Sequence, residues 1–188
     1  GGHENLDAID FLRRLNVEVY GRHQGALTIA EDNSGWPRLS HPTFLGGLGF
    51  GFKWNLDWVR DTLRYLSRNP VHRKYYHDEL VHAVAKAYEE NHISPLSHHE
   101  VGFGRGSMLR KMTGDRWQRF SSLRALYALM YAEPGKKLLF MGNEFAQERE
   151  WNADISLDWH LLDDPLHRGV QALVRDLNTL YRTTPSLY

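Results

Sequence analysis

The sequence predicts an α/β fold built on a parallel sheet. Short apolar runs typical of buried strands alternate along the chain with longer amphipathic segments typical of helices, and three of the four apolar runs end in polar side chains. Strands that alternate with helices indicate a parallel sheet with helical crossovers. In (β/α) barrels the active-site groups lie at the carboxyl ends of the strands. We therefore expect a barrel-like active site, although the chain shows only half of the roughly eight strands in a closed barrel.

The first part of the chain predicts one helix and two strands. The helix is expected over Asn5 to Val17, with Asn5 as its cap and with Leu6, Ile9, Leu12 and Leu15 along one face. A strand is expected over Ala26 to Ala30, because a short, partly β-branched run without charge is typical of a strand buried on both faces. A second strand is expected over Phe50 to Trp54. The glycines that precede it favour close backbone packing over a phosphate-binding loop, because the helix-opening pattern of such loops does not follow.

The rest of the chain predicts mostly helices, with two more strands between them. Helices are expected over Leu56 to Ser67, from near Pro70, over Glu79 to Glu90, over Asp115 to Ala132, and from Pro165 through Leu180. The strands are expected over His92 to Ser97, continuing into His98-His99-Glu100, and over Leu138 to Met141.

The composition excludes several classes of partner and chemistry. Lys plus Arg and Asp plus Glu number 23 each, so no nucleic-acid partner is expected. No apolar run approaches the roughly 18–20 residues of a membrane span, so no membrane partner is expected. The absence of cysteine excludes disulfides, thiolate catalysis and cysteine-ligated zinc, and it favours a reducing compartment such as the cytoplasm.

The chain has no internal repeat, low-complexity tract or linker, so residues 1–188 are expected to lie in one domain. Its first residues carry neither an initiator Met nor the basic and apolar segments of a signal peptide. We therefore expect a chain that is processed, tagged or cut from a longer protein.

The end of the first strand carries the strongest candidate for catalysis, Glu31. Glycosidic chemistry uses two carboxyl groups, one that protonates the leaving oxygen and one that attacks the sugar or activates water. A carboxyl at the mouth of a hydrophobic strand can be partly desolvated, which suits a proton donor. The structural alternative is that Glu31 caps a helix or pairs with an arginine.

Two further groups of side chains are candidates for binding. His98 and His99 are adjacent, and on a strand their side chains would point to opposite faces, so no metal is expected there. Lys53, Trp54 and Asn55 suit a sugar subsite, with a ring for stacking and donors for hydroxyl groups. An equally good alternative is a buried tryptophan with a lysine that extends past it to solvent.

Seven segments together carry a family resemblance that extends almost from end to end of the chain. They are Gly2 to Ile9, Thr28 to Asp32, Gly46 to Asn55, Pro95 to Val101, Pro134 to Gln147, Glu150 to Asn152 and Ser156 to His160. With these segments the chain resembles the glycogen (1,4-alpha-glucan) branching enzymes of the alpha-amylase superfamily. The run Met-Gly-Asn-Glu-Phe followed by Glu-Trp-Asn is especially characteristic of branching enzymes among the amylase relatives.

The resemblance implies that the chain is the second half of a (β/α)₈ barrel, strands five to eight, with no separate second domain. It implies a retaining transfer of a glucan chain from an α-1,4 to an α-1,6 linkage in glycogen biosynthesis, with an alpha-glucan as partner and no cofactor. Glu31 corresponds to the family's general acid/base, and His98 to a histidine that hydrogen-bonds sugar hydroxyls and helps to stabilise the transition state. Lys53, Trp54 and Asp61 correspond to residues near the substrate groove.

Two departures from the family pattern bear on activity. The family's nucleophile is an aspartate on the fourth barrel strand, ahead of the Gly-Gly-x-Glu-Asn motif with which this chain begins, so we expect the chain to lack it. The family also has an aspartate between the His and the Glu of its Ser-His-Asp-Glu motif, where this chain has His99. An imidazole cannot give an oxocarbenium-like centre the electrostatic stabilisation of a carboxylate. The chain alone is therefore expected to be inactive.

Two other hypotheses remain open. A non-catalytic glucan-binding remnant would use aromatic side chains such as Trp36, Trp54 and Trp151, and a histidine-based metalloprotein is a third option. In addition, a half barrel has two open sheet edges, at Ala26 to Ala30 and at Leu138 to Met141, whose unpaired backbone groups favour self-association.

Overall fold

A computed structural model describes residues 4–187 as an α/β structure built on one sheet. The strands are β1 (Ile29–Ala30), β2 (Phe52–Trp54), β3 (His92–Leu96) and β4 (Lys136–Leu139), in that order across the sheet. Every pairing is parallel, with Ala30 opposite Lys53, Trp54 opposite Ile93 and Leu96 opposite Leu139. The expected parallel α/β sheet is confirmed, and β1 and β4 are its two edges, as expected.

Seven α-helices accompany the sheet within the described residues. They are α1 (Leu6–Arg22), α2 (Leu56–Ser67), α3 (His77–Ala85), α4 (His98–Val101), α5 (Met108–Lys111), α6 (Arg116–Ala132) and α7 (Pro165–Thr183). None of the helices in this part of the chain is both long and apolar enough to cross a membrane.

Side-chain caps fix the starts of the long helices where the sequence predicts them. Asn5 Oδ1 accepts a hydrogen bond from the Ala8 amide at 3.0 Å, and Asn55 Oδ1 accepts one from the Trp58 amide at 3.1 Å. Asp115 and Gln118 form a reciprocal capping box at the start of α6. Each cap satisfies an amide that the helix leaves unpaired, and it acts within one turn, so the sequence alone can locate it. α1 continues to Arg22 instead of ending at Val17.

The predictions for the segment between β2 and β3 are partly wrong. No α-helix begins near Pro70, because Asn69 closes a turn there by accepting hydrogen bonds from the amides of Val71 and His72. The helix expected over Glu79 to Glu90 is α3, which ends at Ala85 and tightens into a 3₁₀ turn over Lys86–Tyr88.

β1 is shorter and more exposed than expected. It covers two residues, and Ile29 is 46% exposed, whereas burial on both faces was expected. The physical reason is that β1 is an edge strand, paired with β2 alone among the described elements. The expected apolar face of α1 is also only half buried: Ile9 and Leu12 pack against the core, while Leu6 and Leu15 are exposed.

Two clusters of apolar side chains form the core. The larger one lies between the second half of the sheet and helices α2, α6 and α7, and its fully buried members include Trp58, Leu96, Leu123, Tyr127 and Val170. The smaller cluster packs Ala30 against the loop between β1 and β2, and its other buried members are Leu39 and Leu48. The larger cluster supports β3 and β4, and the smaller one supports the end of β1.

The glycine-rich stretch before β2 is a site of close backbone packing, as the sequence indicated. A Cβ atom on Gly47 would lie 2.1 Å from the His41 carbonyl oxygen. Gly46 has a φ of 85°, a left-handed conformation that favours glycine. A side chain at Gly47 would therefore force a shift within the loop between β1 and β2, which carries the residues that follow Glu31.

Candidate active site

Glu31 lies directly after β1, and its carboxylate faces His99. The distance between Glu31 Oε1 and His99 Nε2 is 3.3 Å, and the two side chains are 47% and 48% exposed. His99 lies on α4, a single helical turn whose N-cap Ser97 accepts a hydrogen bond from the His99 amide at 3.2 Å. The carboxyl ends of β1 and β3 therefore bring together a carboxylate and an imidazole that are far apart in the sequence.

The strand expected through His98-His99-Glu100 ends earlier than predicted. β3 ends at Leu96, and the next residues turn into α4. The rings of His98 and His99 consequently stack at 4.2 Å instead of pointing to opposite faces of a strand. Among residues 4–187, no three or more histidine and acidic side chains form a group that could hold a metal ion.

Glu31 and His99 open into a cleft of about 770 Å³ beside one face of α2. Its charged lining residues, besides these two, are Arg60, Arg64, Glu100, Arg105 and Lys111. Burial lowers the pKa of Lys111, and the nearby Glu100 carboxylate partly opposes this shift. Glu31 follows β1 and Glu100 lies on α4 after β3, whereas the basic residues come from α2, α5 and a loop. Together they give the cleft groups that can donate protons and bind hydroxyl groups.

His98 is half-buried and stands next to the cleft without lining it. Its ring packs edge-on against Phe103 at 6.2 Å and lies 5.9 Å from the ring of Phe140. This aromatic packing fixes the orientation of the His98 ring, and through the 4.2 Å stack it also limits the positions open to His99.

The other residues predicted for the site are not in this cleft. Lys53 and Trp54 line a neighbouring pocket of about 340 Å³ that includes neither Glu31 nor His99. Asp61 is 5% exposed, and its carboxylate pairs with Arg60 Nε at 3.0 Å and with Arg64 Nη2 at 3.2 Å. Asp61 therefore holds two arginines that line the cleft and does not line it itself.

Sequence analysis missed the loop that carries Arg105 to the cleft. Glu150 fixes this loop by accepting hydrogen bonds from the amides of Gly104 at 2.8 Å and Gly106 at 2.7 Å. These two bonds lower the pKa of the Glu150 carboxyl. The available signal was the Glu-Trp-Asn segment that starts at Glu150, since a carboxylate at a fixed position can anchor a glycine-containing loop. Nothing in the sequence indicated that this loop places Arg105 in the wall of the cleft.

The fold and this site define a class of protein: a parallel α/β protein with a carboxylate-bearing cleft at the carboxyl ends of its strands. No protein-family model matches the chain. All 188 residues align with proteins named 1,4-alpha-glucan branching enzyme GlgB, at 61% identity in Paramagnetospirillum magneticum, 59% in Rhodopseudomonas palustris and 58% in Rubrobacter xylanophilus. The chain is thus homologous over its whole length to a segment of the 1,4-alpha-glucan branching enzymes, which confirms the resemblance seen in its motifs. It covers 25–26% of these relatives, about a quarter of their length.

Proposed function

We propose that residues 1–188 are part of the catalytic (β/α)₈ barrel of a 1,4-alpha-glucan branching enzyme, with β1 to β4 as the barrel's fifth to eighth strands. Two observations support the proposal: the strands are parallel and adjacent in chain order, and the whole chain is 57–61% identical to GlgB sequences. A barrel with two such halves would pair both open edges of this sheet.

The proposed reaction is a retaining transfer that moves a glucan chain from an α-1,4 to an α-1,6 linkage of an alpha-glucan. The observation that carries it is the position of Glu31, whose carboxyl group projects into the cleft at the end of β1. In a retaining mechanism, one carboxyl group attacks the sugar while another protonates the leaving oxygen. Glu31 donates its proton to the leaving oxygen. Its carboxylate then takes the proton of the acceptor 6-hydroxyl, whose oxygen attacks the anomeric carbon and displaces the attacking carboxylate of the enzyme. The attacking carboxylate would come from a strand outside these 188 residues.

The remaining side chains take supporting roles in this proposal. His98, which stands beside the cleft and is held by its aromatic neighbours, hydrogen-bonds hydroxyls of a sugar that extends past the cleft wall. Asp61 positions Arg60 and Arg64 at the wall of the cleft. His99 occupies the place of the family's stabilising aspartate. Its ring nitrogen contacts the Glu31 carboxyl group, which is then less available to donate a proton. That contact also favours a second candidate function, a glucan-binding segment without catalysis.

The 188-residue chain alone is expected to form no detectable α-1,6 linkages from amylose, because loss of a covalent nucleophile typically costs several powers of ten in rate. The same residues, grafted in place of the homologous segment of full-length Paramagnetospirillum magneticum GlgB, are expected to give an enzyme that branches amylose. Branching is measured by debranching the product and determining its chain-length distribution. In this grafted enzyme, Glu31→Gln is expected to abolish transfer.

Glu18→Gln, an exposed substitution on α1, is the matched control and should leave the transfer rate unchanged. Branching by the pure 188-residue chain would contradict the proposed division of catalytic groups. Full activity of the grafted Glu31→Gln enzyme would exclude Glu31 as the proton donor. A grafted enzyme that binds amylose without branching it would favour the glucan-binding function.

We also propose that the isolated chain associates through its sheet edges. β1 presents Ile29 at 46% exposure beside Leu27 at 61%, and β4 is the opposite edge. Two copies that pair β1 with β4 of the other copy would form eight parallel strands and would pair both edges.

With the chain at a concentration of tens of micromolar, sedimentation velocity is therefore expected to show dimers or larger species. Ile29→Lys should shift the chain towards monomer, because a charge on an edge strand opposes pairing. Ile155→Lys, at a similarly exposed position away from the sheet, is the control. A chain that sediments as a monomer and melts sharply would refute the proposal.

A further inference from the structure

Among the described residues that line the cleft beside Glu31, Lys111 is the only lysine, and its side chain is partly buried. It is the last residue of α5, whose Met108 and Leu109 are buried in the main core. The carbonyl oxygen of Leu109 also accepts a hydrogen bond from Arg119 Nε at 3.1 Å. These contacts fix the backbone of α5, so the Lys111 amine has a defined place in the wall of the cleft.

The Lys111 amine is accessible from the cleft. Its Nζ donates a hydrogen bond to the carbonyl oxygen of Arg105 at 2.9 Å, and this contact is exposed. One such bond uses only one of the three N–H groups of a lysine ammonium, so the nitrogen has room for further partners. A small molecule in the cleft can therefore reach Nζ without a movement of the protein.

Three charged side chains lie close enough to act on the Lys111 amine. Burial lowers the pKa of Lys111 and the Arg105 guanidinium lowers it further, whereas the carboxylates of Glu100 and Glu150 oppose the shift. A lysine reacts as a nucleophile in its neutral form, and partial burial or a neighbouring cation increases the neutral fraction. The position of Lys111 therefore favours its reaction with an electrophile that enters the cleft.

The cations of the cleft differ in how far the protein already pairs them. Arg60 pairs with Asp57 at 2.8 Å, and Arg64 pairs with Asp61 at 3.2 Å. Arg105 is exposed, and it forms no ion pair within residues 4–187. A guanidinium without an internal counterion is a favourable partner for a phosphate group, whose oxygens match its planar array of N–H donors.

We propose that Arg105 and Lys111 form a capture site for a small phosphorylated aldehyde, in which the guanidinium binds the phosphate and the amine forms an imine with the carbonyl carbon. The neutral amine attacks that carbon, a C–N bond forms, and the carbonyl C–O bond breaks. Both hydrogens of the amine leave with the oxygen as one water molecule, so the step needs no oxidant or reductant.

The adduct would lie in the cleft that Glu31 faces and would block access to it. Neither Arg105 nor Lys111 belongs to the proposed catalytic groups. The capture site therefore exists whether or not the chain takes part in glucan transfer.

The test uses D-glyceraldehyde 3-phosphate as the probe. The 188-residue chain is incubated with it at pH 7, cyanoborohydride reduces the imine to a stable secondary amine, and peptide mass spectrometry locates the added mass. Lys111 is expected to be labelled about tenfold faster than Lys74, an exposed lysine outside the cleft. Unfolding the chain in guanidinium chloride is expected to remove this difference.

Arg105→Gln separates the phosphate contact from the reactivity of the amine. It keeps the backbone carbonyl that Lys111 contacts and removes the guanidinium. The preference of Lys111 for D-glyceraldehyde 3-phosphate over unphosphorylated D-glyceraldehyde is therefore expected to fall about tenfold. Arg14→Gln, on the exposed face of α1 where Arg14 pairs with Asp10, is the matched control and should leave both labelling rates unchanged.

Equal labelling of Lys111 and Lys74 in the folded chain would overturn the proposal, and so would a preference for the phosphorylated aldehyde that Arg105→Gln leaves unchanged. The thermal midpoint of each variant reports whether it folds. If Arg105→Gln does not fold, competition in the parent chain carries the test. Millimolar glycerol 3-phosphate, which has the phosphate but no carbonyl group, is expected to slow labelling of Lys111 and not of Lys74. Equal rates with and without it would reject the capture site.

Failure of this proposal can be distinguished from failure of the proposed function. Transfer by the grafted enzyme together with unselective labelling of the chain would reject only the capture site. Selective labelling of Lys111 in a chain whose grafted enzyme shows no transfer would reject only the catalytic proposal.

Discussion

Replacing His99 by aspartate in the grafted enzyme is expected to raise its rate of chain transfer by about 10²–10³-fold. A preorganised group that stabilises charge at the reacting centre contributes roughly 3–4 kcal/mol to the transition state, and an aspartate here would stabilise an oxocarbenium-like centre. A neutral or protonated imidazole cannot provide that stabilisation. The substitution also removes the ring nitrogen that lies 3.3 Å from Glu31 Oε1, which frees the proposed proton donor. The rate is measured as kcat for branching of amylose.

The two effects of that substitution can be separated with a matched variant. His99→Asn also removes the imidazole but adds no charge, so a gain confined to His99→Asp assigns the effect to the carboxylate. Equal gains in both variants would assign it to release of Glu31. If the grafted enzyme with His99 is already as fast as its aspartate variant, the interpretation of this position is wrong.

A single buried carboxyl group, Glu133, is expected to contribute a loss of about 3 kcal/mol to the stability of the chain between pH 4.5 and pH 8. Glu133 is 4% exposed, and neither of its carboxylate oxygens has a hydrogen-bond partner in the described part of the chain. Burial raises the pKa of Glu133 to about 7, although the nearby Lys137 and Trp58 partly oppose the shift. Below about pH 4.5 the Glu133 carboxyl is protonated in both the folded and the unfolded chain, so no buried charge lowers the free energy of unfolding. The unfolded chain releases the Glu133 proton near pH 4.5, whereas the folded chain keeps it until about pH 7. The free energy of unfolding therefore falls as the pH rises through this range.

Lys137 titrates in a different window and does not obscure this effect. Burial lowers its pKa to about 8, so its contribution to stability changes as the pH falls from its usual value near 10.5 towards 8. Between pH 4.5 and 7 the Lys137 side chain is charged in both states. Burial also lowers the pKa of His92, which makes stability rise with pH in the same range. The contribution of Glu133 is therefore the difference in slope between the wild-type chain and Glu133→Gln.

Urea unfolding at several pH values measures the slope. Glu133→Gln keeps the size of the side chain and removes its charge. It is expected to remove the loss of stability that Glu133 causes with rising pH, and to stabilise the chain by about 3 kcal/mol at pH 8. Glu18→Gln, an exposed carboxylate paired with Arg22, is the control and should change stability by less than about 0.5 kcal/mol. An equal slope of stability against pH in the wild-type chain and in Glu133→Gln would contradict the assignment.

Local signals in the sequence located most of the secondary structure. Helix α2 has the predicted bounds, and α6 begins directly after the predicted Asp115, because capping and turn residues act within a few positions of the chain. Boundaries were missed where a tertiary neighbour or a local turn competed, as at Asn69 and in the shortened β1. The parallel sheet followed from the alternation of strands and helices, whereas the edge positions of β1 and β4 followed from the resemblance to a barrel.

The sequence by itself determined the class of fold, the starts of α1, α2 and α6 and the homology to branching enzymes, since motifs and periodicity are properties of the chain. Only the tertiary structure decided which predicted site residues meet. It brought Glu31 to His99, placed Lys53 and Trp54 in a separate pocket, and committed Asp61 to two arginines. These outcomes depend on strand register, on where β3 ends and on the path of α2 beside the cleft. Such distances arise from the packing of residues remote in the chain, which no local pattern specifies.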